Sequence, residues 1–346
     1  MGAAQDIRIR RDGRAGRITL ARPAALNALT YDMAMAIEAA LAQWRDDDRV
    51  ALVIIDGEGE RAFCAGGDIE ALYRAGRAGD FAFGRRFWQD EYRMNAAIAE
   101  YAKPYIAFLH GFVMGGGVGI GCHGSHRIVC ESSRLAMPEC GIGLIPDVGG
   151  SYLLAHAPGQ LGPYLGLTGQ RMDAADAIVA GFADAFVPAV EWEALKAALC
   201  ATGDVATIDG FRRADRGGTL AARRTEVDRF FSLASAIDCV RALEADGSPW
   251  AAETAAAIRR GCPLSVACTF ELVRMARKAA SVREALALEL RFTWRSMSDG
   301  EFLEGVRAQI IDKDRKPQWR TPRLEDVSGE RVAAMLAPIA ELAAAD

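Results

Sequence analysis

The sequence lacks the usual marks of several function classes. Its eight cysteines form no Cys-x-x-Cys pair, and a chain of 346 residues needs no disulfide staples, so they read as reduced thiols in a cytoplasmic core. There are only four histidines, His110, His123, His126 and His156. His123 and His126 are three apart, but no further ligand completes a cage, and no metal site is expected. No Gly-x-Ser-x-Gly elbow is present, which leaves a serine triad without support. No apolar run approaches membrane-spanning length, and the strand-like Ile7-Arg8-Ile9 starts so early that no signal sequence is expected. Positive charge is not in excess: the net charge of −5 disfavours nucleic acid and membrane surfaces as partners. Internal repeats and low-complexity tracts are absent too.

What is present is a large apolar fraction, 51%, sufficient for a sizeable core, and an alternation of short β-like runs with helical patterns that marks an α/β fold. A hairpin is expected from Ile7-Arg8-Ile9, a turn at Asp12-Gly13, and Gly16 to Leu20. Tyr31 to Trp44 reads as an amphipathic helix, capped by Thr30, with Met33, Ile37, Leu41 and Trp44 on one stripe. Val50 to Asp56 and Tyr105 to Leu109 read as buried strands. From about residue 190 the pattern turns mostly helical, with loop-like material at Ala201 to Gly218 and Asp246 to Pro249. These shifts suggest a core over 1–195 and a helical region over 196–346. The segment Ser281 to Trp294 carries Val282, Leu286, Leu290 and Trp294 on one face, suited to this chain's own core or to another subunit.

The chemistry-bearing motifs are glycines and carboxylates. Gly115-Gly116-Gly117 at the start of a helix removes every Cβ that would keep a ligand from the main chain and presents bare N–H groups, as suits a thioester oxygen. A second glycine loop, Phe63-Cys64-Ala65-Gly66-Gly67-Asp68, runs into a helix whose N-terminus Asp68 is placed to cap. Gly119 to Gly124 matches G-x-G-x-x-G, but it falls inside a helix, where the glycines serve close packing. Glu139 after Met137-Pro138 and Asp147 after Pro146 are the candidate catalytic carboxylates. Read alone, the first also suits a helix cap and the second a turn.

In the order of their motifs these segments resemble the enoyl-CoA hydratase/isomerase (crotonase) superfamily, over nearly the whole chain. The resemblance rests on Arg22-Pro23-Ala24-Ala25-Leu26-Asn27-Ala28-Leu29, on Phe63 to Ile69 and on the glycine triplet. Within the superfamily it is nearest to the thioester hydrolases, through Ala136-Met137-Pro138-Glu139, Gly143 to Gly150, Leu167-Thr168-Gly169, Glu304 to Ala308 and Ile311 to Asp314. It implies a crotonase-like spiral of ββα units, with strands in a roughly perpendicular pair of sheets and a helical C-terminal region. It further implies an oxyanion hole from the N–H groups of Gly67 and Gly116, catalysis by Glu139 with Asp147, and a substrate contact at Glu91. CoA binding falls to Arg22, Leu26, Ala65 and Asp68. Hydratases of the superfamily carry a first catalytic glutamate two residues past the triplet, where this chain has Gly119.

The implied reaction is hydrolysis of an acyl-CoA thioester, 3-hydroxyisobutyryl-CoA or 3-hydroxypropionyl-CoA, in valine catabolism, with no cofactor because CoA is part of the substrate. Hydration or isomerisation of another acyl-CoA, and CoA-ester binding without turnover, are the alternatives. Superfamily members often assemble as trimers or dimers of trimers, although no interface is legible here.

Overall fold

The computed structural model describes residues 6–214 and 217–343; Asp215 and Arg216, in the expected loop Ala201–Gly218, lie outside the described residues. Two compact units emerge, one of residues 1–68, 90–136 and 171–221, the other of 69–89, 137–170 and 222–346. The sequence division at 195/196 follows the switch to helical pattern. The units follow packing instead, and so group segments 69–89 and 137–170 with the helical region.

All the strands described lie in the first unit: β1 (Ile7–Asp12), β2 (Ala15–Leu20), β3 (Leu52–Gly57), β4 (Ala62–Cys64), β5 (Tyr105–Leu109), β6 (Phe112–Met114), β7 (His126–Val129), β8 (Arg134–Ala136) and β9 (Ala185–Phe186). One sheet has the order β1-β2-β3-β5-β7-β9 and the other β4-β6-β8. Apart from the antiparallel β1–β2 hairpin, every pairing is parallel. Parallel neighbours need a crossover; the one from β2 to β3 runs through the helix Tyr31–Arg45, and from β3 onward each crossover in the large sheet places a strand in the small sheet before the chain returns. That is the expected ββα spiral. The hairpin turns at Gly13, whose φ of +54° suits glycine, and β2 begins at Ala15, one residue before its expected start.

The helix Tyr31–Arg45 is capped as expected, Thr30 Oγ1 accepting from Met33 N–H at 3.2 Å, and Met33, Ile37, Leu41 and Trp44 are all buried. Leu52, Val53, Ile54 and Ile55 of β3 are fully buried, so both faces of the sheet are covered, as parallel sheets require. One face packs Ile54, Ile106, Phe108 and Ile128 against Trp192, Leu195 and Leu199, with the Phe108 and Trp192 rings edge to face at 5.1 Å. Asp56, which closes the apolar run of β3, is buried between Arg17 and Lys196, each at 2.8 Å; it is a structural charge. The stretch Ala201–Gly218 is not all loop: it holds the helix Thr207–Phe211, whose single buried side chain, Ile208, is too little for a periodic signal.

The glycines of the G-x-G-x-x-G match do pack, although the helix ends at Gly121 and Gly124 lies beyond it. A Cβ on Gly121 would lie 2.6 Å from Leu109, and one on Gly124 2.6 Å from the Tyr105 ring. All eight cysteines are free and buried. No helix among the described residues is long and apolar enough to cross a membrane.

The second unit is helical. Four of its helices start at serine caps, Ser235, Ser248, Ser281 and Ser328, each accepting the N–H three residues on, whereas Pro263–Ala276 follows Cys262 with no side-chain cap. Helix Pro263–Ala276 buries the most residues of any helix described in the unit. In Val282–Ser296 the buried face is not the expected stripe: Val282, Leu290 and Trp294 are half-buried, and the covered face is Ala285, Leu286, Glu289, Phe292, Thr293 and Ser296. A carboxylate sits in the middle of it.

Candidate functional site

In the first unit the two glycine loops converge. Gly66 has φ +126° and Gly115 φ +47°, conformations an L side chain resists, and each turns the peptide that carries the next residue's N–H. The neighbouring hydrogen bonds run past those two groups. Leu29 N–H donates to Gly66 O (2.9 Å) and Asp68 N–H to Leu29 O (2.8 Å). On the other loop, the N–H groups of Val118 and Gly119 both donate to Gly115 O, at 2.8 and 3.2 Å. The N–H groups of Gly67 and Gly116 stay outside these ladders. A Cβ built on Gly116 would lie 3.2 Å from Gly67 N and 3.2 Å from Glu91 Oε1, whereas one on Gly67 would meet nothing within 4 Å. Gly67, Gly116 and buried Glu91 therefore border one spot. Two N–H donors side by side can hold a developing oxyanion.

The other first-unit candidates form the floor of the Gly67 loop. Ala65 N–H donates to Leu26 O at 3.0 Å, and Leu26 and Asn27 are left-handed (φ +52° and +54°). Buried Asn27 holds that turn, accepting from Arg22 N–H at 2.9 Å and donating to Glu58 O (2.9 Å) and Ala62 O (2.8 Å). The Arg22 guanidinium is engaged within the protein, with Asp68 at 3.3 Å, Asp6 at 3.4 Å and Ala28 O at 2.7 Å. Asp68 immediately precedes the helix Ile69–Arg77.

The second unit brings the carboxylates together. Glu139 opens a tight turn, Glu139–Ile142, that Gly143 closes at φ +73°. Its side chain is buried, and Oε2 has no hydrogen-bond partner among the described residues. Burial holds its carboxyl well above the usual carboxylate range; the charge of Asp147, buried nearby, adds to the effect and Glu289 contributes less. The two carboxylates sit close enough for one to shift the other, with desolvation the larger cause. The Asp147 loop is strained: Val148 has φ +53° and Gly149 +79°, the former unusual for a β-branched residue. Gly150 N–H closes the turn on Asp147 O at 2.7 Å.

Glu289 is the residue that the sequence reading missed. Fully buried, it accepts Gly149 N–H at 2.8 Å, Ser151 N–H at 3.0 Å and the Ser151 hydroxyl. Its one sequence signal is position, since it shares a helical face with Ala285, Phe292 and Ser296.

Comparison with known proteins adds the lineage. The family described as Enoyl-CoA hydratase/isomerase matches residues 15–336. The chain is 39% identical over 341 residues to "3-hydroxyisobutyryl-CoA hydrolase, mitochondrial" of Danio rerio, covering 95% of this chain and 89% of that protein. Among solved structures, that of an enoyl-CoA hydratase from Rhodobacter sphaeroides 2.4.1 is 53% identical, with a TM-score of 0.94, over 97% of this chain and 98% of that one. A carnitinyl-CoA dehydratase from Mycobacterium thermoresistibile is 41% identical, with a TM-score of 0.93, over 97% of each chain.

Proposed function

The chain belongs to the enoyl-CoA hydratase/isomerase family, and from that premise we propose that it hydrolyses 3-hydroxyisobutyryl-CoA, and 3-hydroxypropionyl-CoA with it, to the free hydroxy acid and CoA. The hydrolase reading draws on relatives of that name matched over nearly the full chain. The observation that carries the choice of reaction is Gly119: the position of the first hydratase glutamate is a glycine buried in the helix Gly116–Gly121, leaving no carboxylate there for alkene hydration. Hydration remains the second reading, favoured by 53% identity to a solved protein named as a hydratase.

The thioester oxygen is received by the N–H groups of Gly67 and Gly116. Glu139 then either takes a proton from water as the water attacks the carbonyl carbon, or attacks that carbon itself to form an anhydride that water opens. In both routes the C–S bond breaks and CoA leaves as the thiolate, to be protonated. Asp147 orients the attacking water or the substrate hydroxyl. Glu91 contacts the acyl group; Arg22, Leu26, Ala65 and Asp68 shape the loop that receives CoA. No cofactor beyond the CoA of the substrate is required. The branched hydroxyacyl group assigns the reaction to valine catabolism; the eight cysteines without a disulfide suit a reducing compartment, for which the cytoplasm is our reading, and the vertebrate relatives carry "mitochondrial" in their names.

The deciding assay follows free thiol release from 3-hydroxyisobutyryl-CoA, with crotonyl-CoA alongside. Thiol release without hydration supports the hydrolase; hydration of crotonyl-CoA without thiol release replaces it with the second reading.

Two further results are expected. Both routes need ionised Glu139, so kcat/KM rises with pH along an acid limb displaced upward from the ordinary value of 4.5. Replacing Asp147 by Asn removes a like charge and moves that limb to lower pH, besides lowering the maximum; a pH profile that does not move contradicts the pairing. Gly67→Ala, whose methyl meets no protein atom, leaves the melting temperature within about 2 °C. It lowers kcat/KM about 10²-fold by intruding on the thioester, the scale of a misplaced reacting group; wild-type kinetics in that variant would move the thioester elsewhere.

A further inference from the structure

Of the three acidic side chains buried around the Asp147 loop, Glu289 has no part in the chemistry above. A buried carboxylate is costly unless donors satisfy it, and this one meets three: the N–H groups of Gly149 and Ser151 and the Ser151 hydroxyl. Those bonds join residues 138 and 140 positions apart in the chain. They grip the loop at Gly149, the second of its two left-handed residues Val148 and Gly149, and at Ser151 two residues on. Glycine adopts that conformation freely, but valine does so only where the surroundings hold it. Gly150 N–H to Asp147 O closes one side of the turn, and Glu289 closes the other. Without it, Val148 relaxes toward negative φ and carries the preceding Asp147 with it.

We propose that Glu289 is a positioning residue, whose carboxylate clamps the N–H groups of Gly149 and Ser151 so that Val148 stays left-handed and Asp147 stays beside Glu139. The consequence for catalysis rests on the hydrolase reading; the clamp itself does not. Burial pushes the Glu289 carboxyl up to about 8, opposed by its bonds to Ser151 and Gly149 and aided by the charge of Asp147. The two backbone donors reach different oxygens, Gly149 N–H meeting Oε2 and Ser151 N–H meeting Oε1, and together with the hydroxyl they favour the ionised form against that burial. Glutamine has the same shape but turns an NH2 toward one of the two N–H donors, so it cannot accept both.

The test compares wild type, Glu289→Gln, Ser151→Ala and the double variant Glu289→Gln with Val148→Gly. Expected are a kcat about thirtyfold lower in Glu289→Gln with an unchanged Kd for free CoA, and a loss of about threefold in Ser151→Ala, which keeps both backbone bonds. Amide exchange at Gly149 and Ser151 speeds up at least tenfold in Glu289→Gln. The double variant regains at least threefold of the lost kcat, because glycine holds the turn unaided; a merely structural role predicts no such rescue. Folded Glu289→Gln with wild-type kcat, or with full loss and no rescue, overturns the proposal. If Glu289→Gln does not fold, Glu289→Asp, which draws the carboxylate back from both N–H groups, decides by the same two readings, and an unchanged kcat with unchanged exchange there overturns it. If wild type releases no CoA, the hydrolase reading has failed and the clamp is judged by exchange in Glu289→Gln alone: faster exchange upholds it, unchanged exchange refutes it.

Discussion

Glu139→Gln is expected to release CoA from 3-hydroxyisobutyryl-CoA about 10³-fold more slowly than wild type while binding CoA esters with similar affinity. Proton transfer by a positioned side chain contributes 10² to 10⁴ in rate, and glutamine can neither take a proton nor form an anhydride. The substitution keeps the shape of a side chain whose Oε2 makes no hydrogen bond, so the fold survives it. Its stability should in fact rise. The Glu139 carboxyl is held above its ordinary 4.5, so the folded state binds that proton more tightly than the unfolded chain does. Stability is therefore lost as pH rises from the unfolded value through the folded one. Removing the charge relieves that loss: the variant melts higher than wild type at pH 8, by roughly 2 °C for each ~1 kcal/mol, and the gap closes at pH 4, where both carry a neutral group. Steady-state kinetics and thermal melts at the two pH values check both halves. Rapid thiol release by Glu139→Gln removes Glu139 from the mechanism; a melting point lowered at pH 8 removes the cost assigned to its charge.

The second large effect is expected from one methyl group. Gly117→Ala puts a Cβ 2.2 Å from the carbonyl oxygen of Cys64 and 3.0 Å from its Cβ, against the end of β4 three residues before Gly67. Backbone cannot yield as a side-chain tip does, so the helix start must withdraw, with overpacking that costs about 1–3 kcal/mol. Moving Gly116 from Gly67 spoils the pair of donors. Loss of one oxyanion donor costs about 10²–10³ in kcat, and a fall of that size is expected here with a lower melting temperature. Gly210→Ala, at a position where a Cβ meets nothing within 4 Å, is the control and should behave as wild type. Full activity in Gly117→Ala would show that the two glycine loops need not approach each other.

Much of this is legible in the sequence itself. Thr30 and the stripe Met33, Ile37, Leu41 and Trp44 are a cap and a period, both written within one helix. The glycine loops around Gly67 and Gly116 were visible as stretches of bare backbone, although the positive φ at Gly66 and Gly115 belongs to the fold, and the order of motifs was enough to name the superfamily. Glu139 and Asp147 are close in sequence, so their pairing was expected as well.

Only the tertiary structure decided which groups are desolvated and by whom. It engages Arg22 with Asp68, Asp6 and Ala28, turns Ala285, Glu289 and Phe292 inward where Leu290 and Trp294 were expected, and makes burial the first cause of the Glu139 shift. Local backbone preference and periodicity act over a few residues, and a sequence displays them directly. Desolvation and the clamp of Glu289 on a loop 138 residues away act through space, and they exist only once the chain has folded.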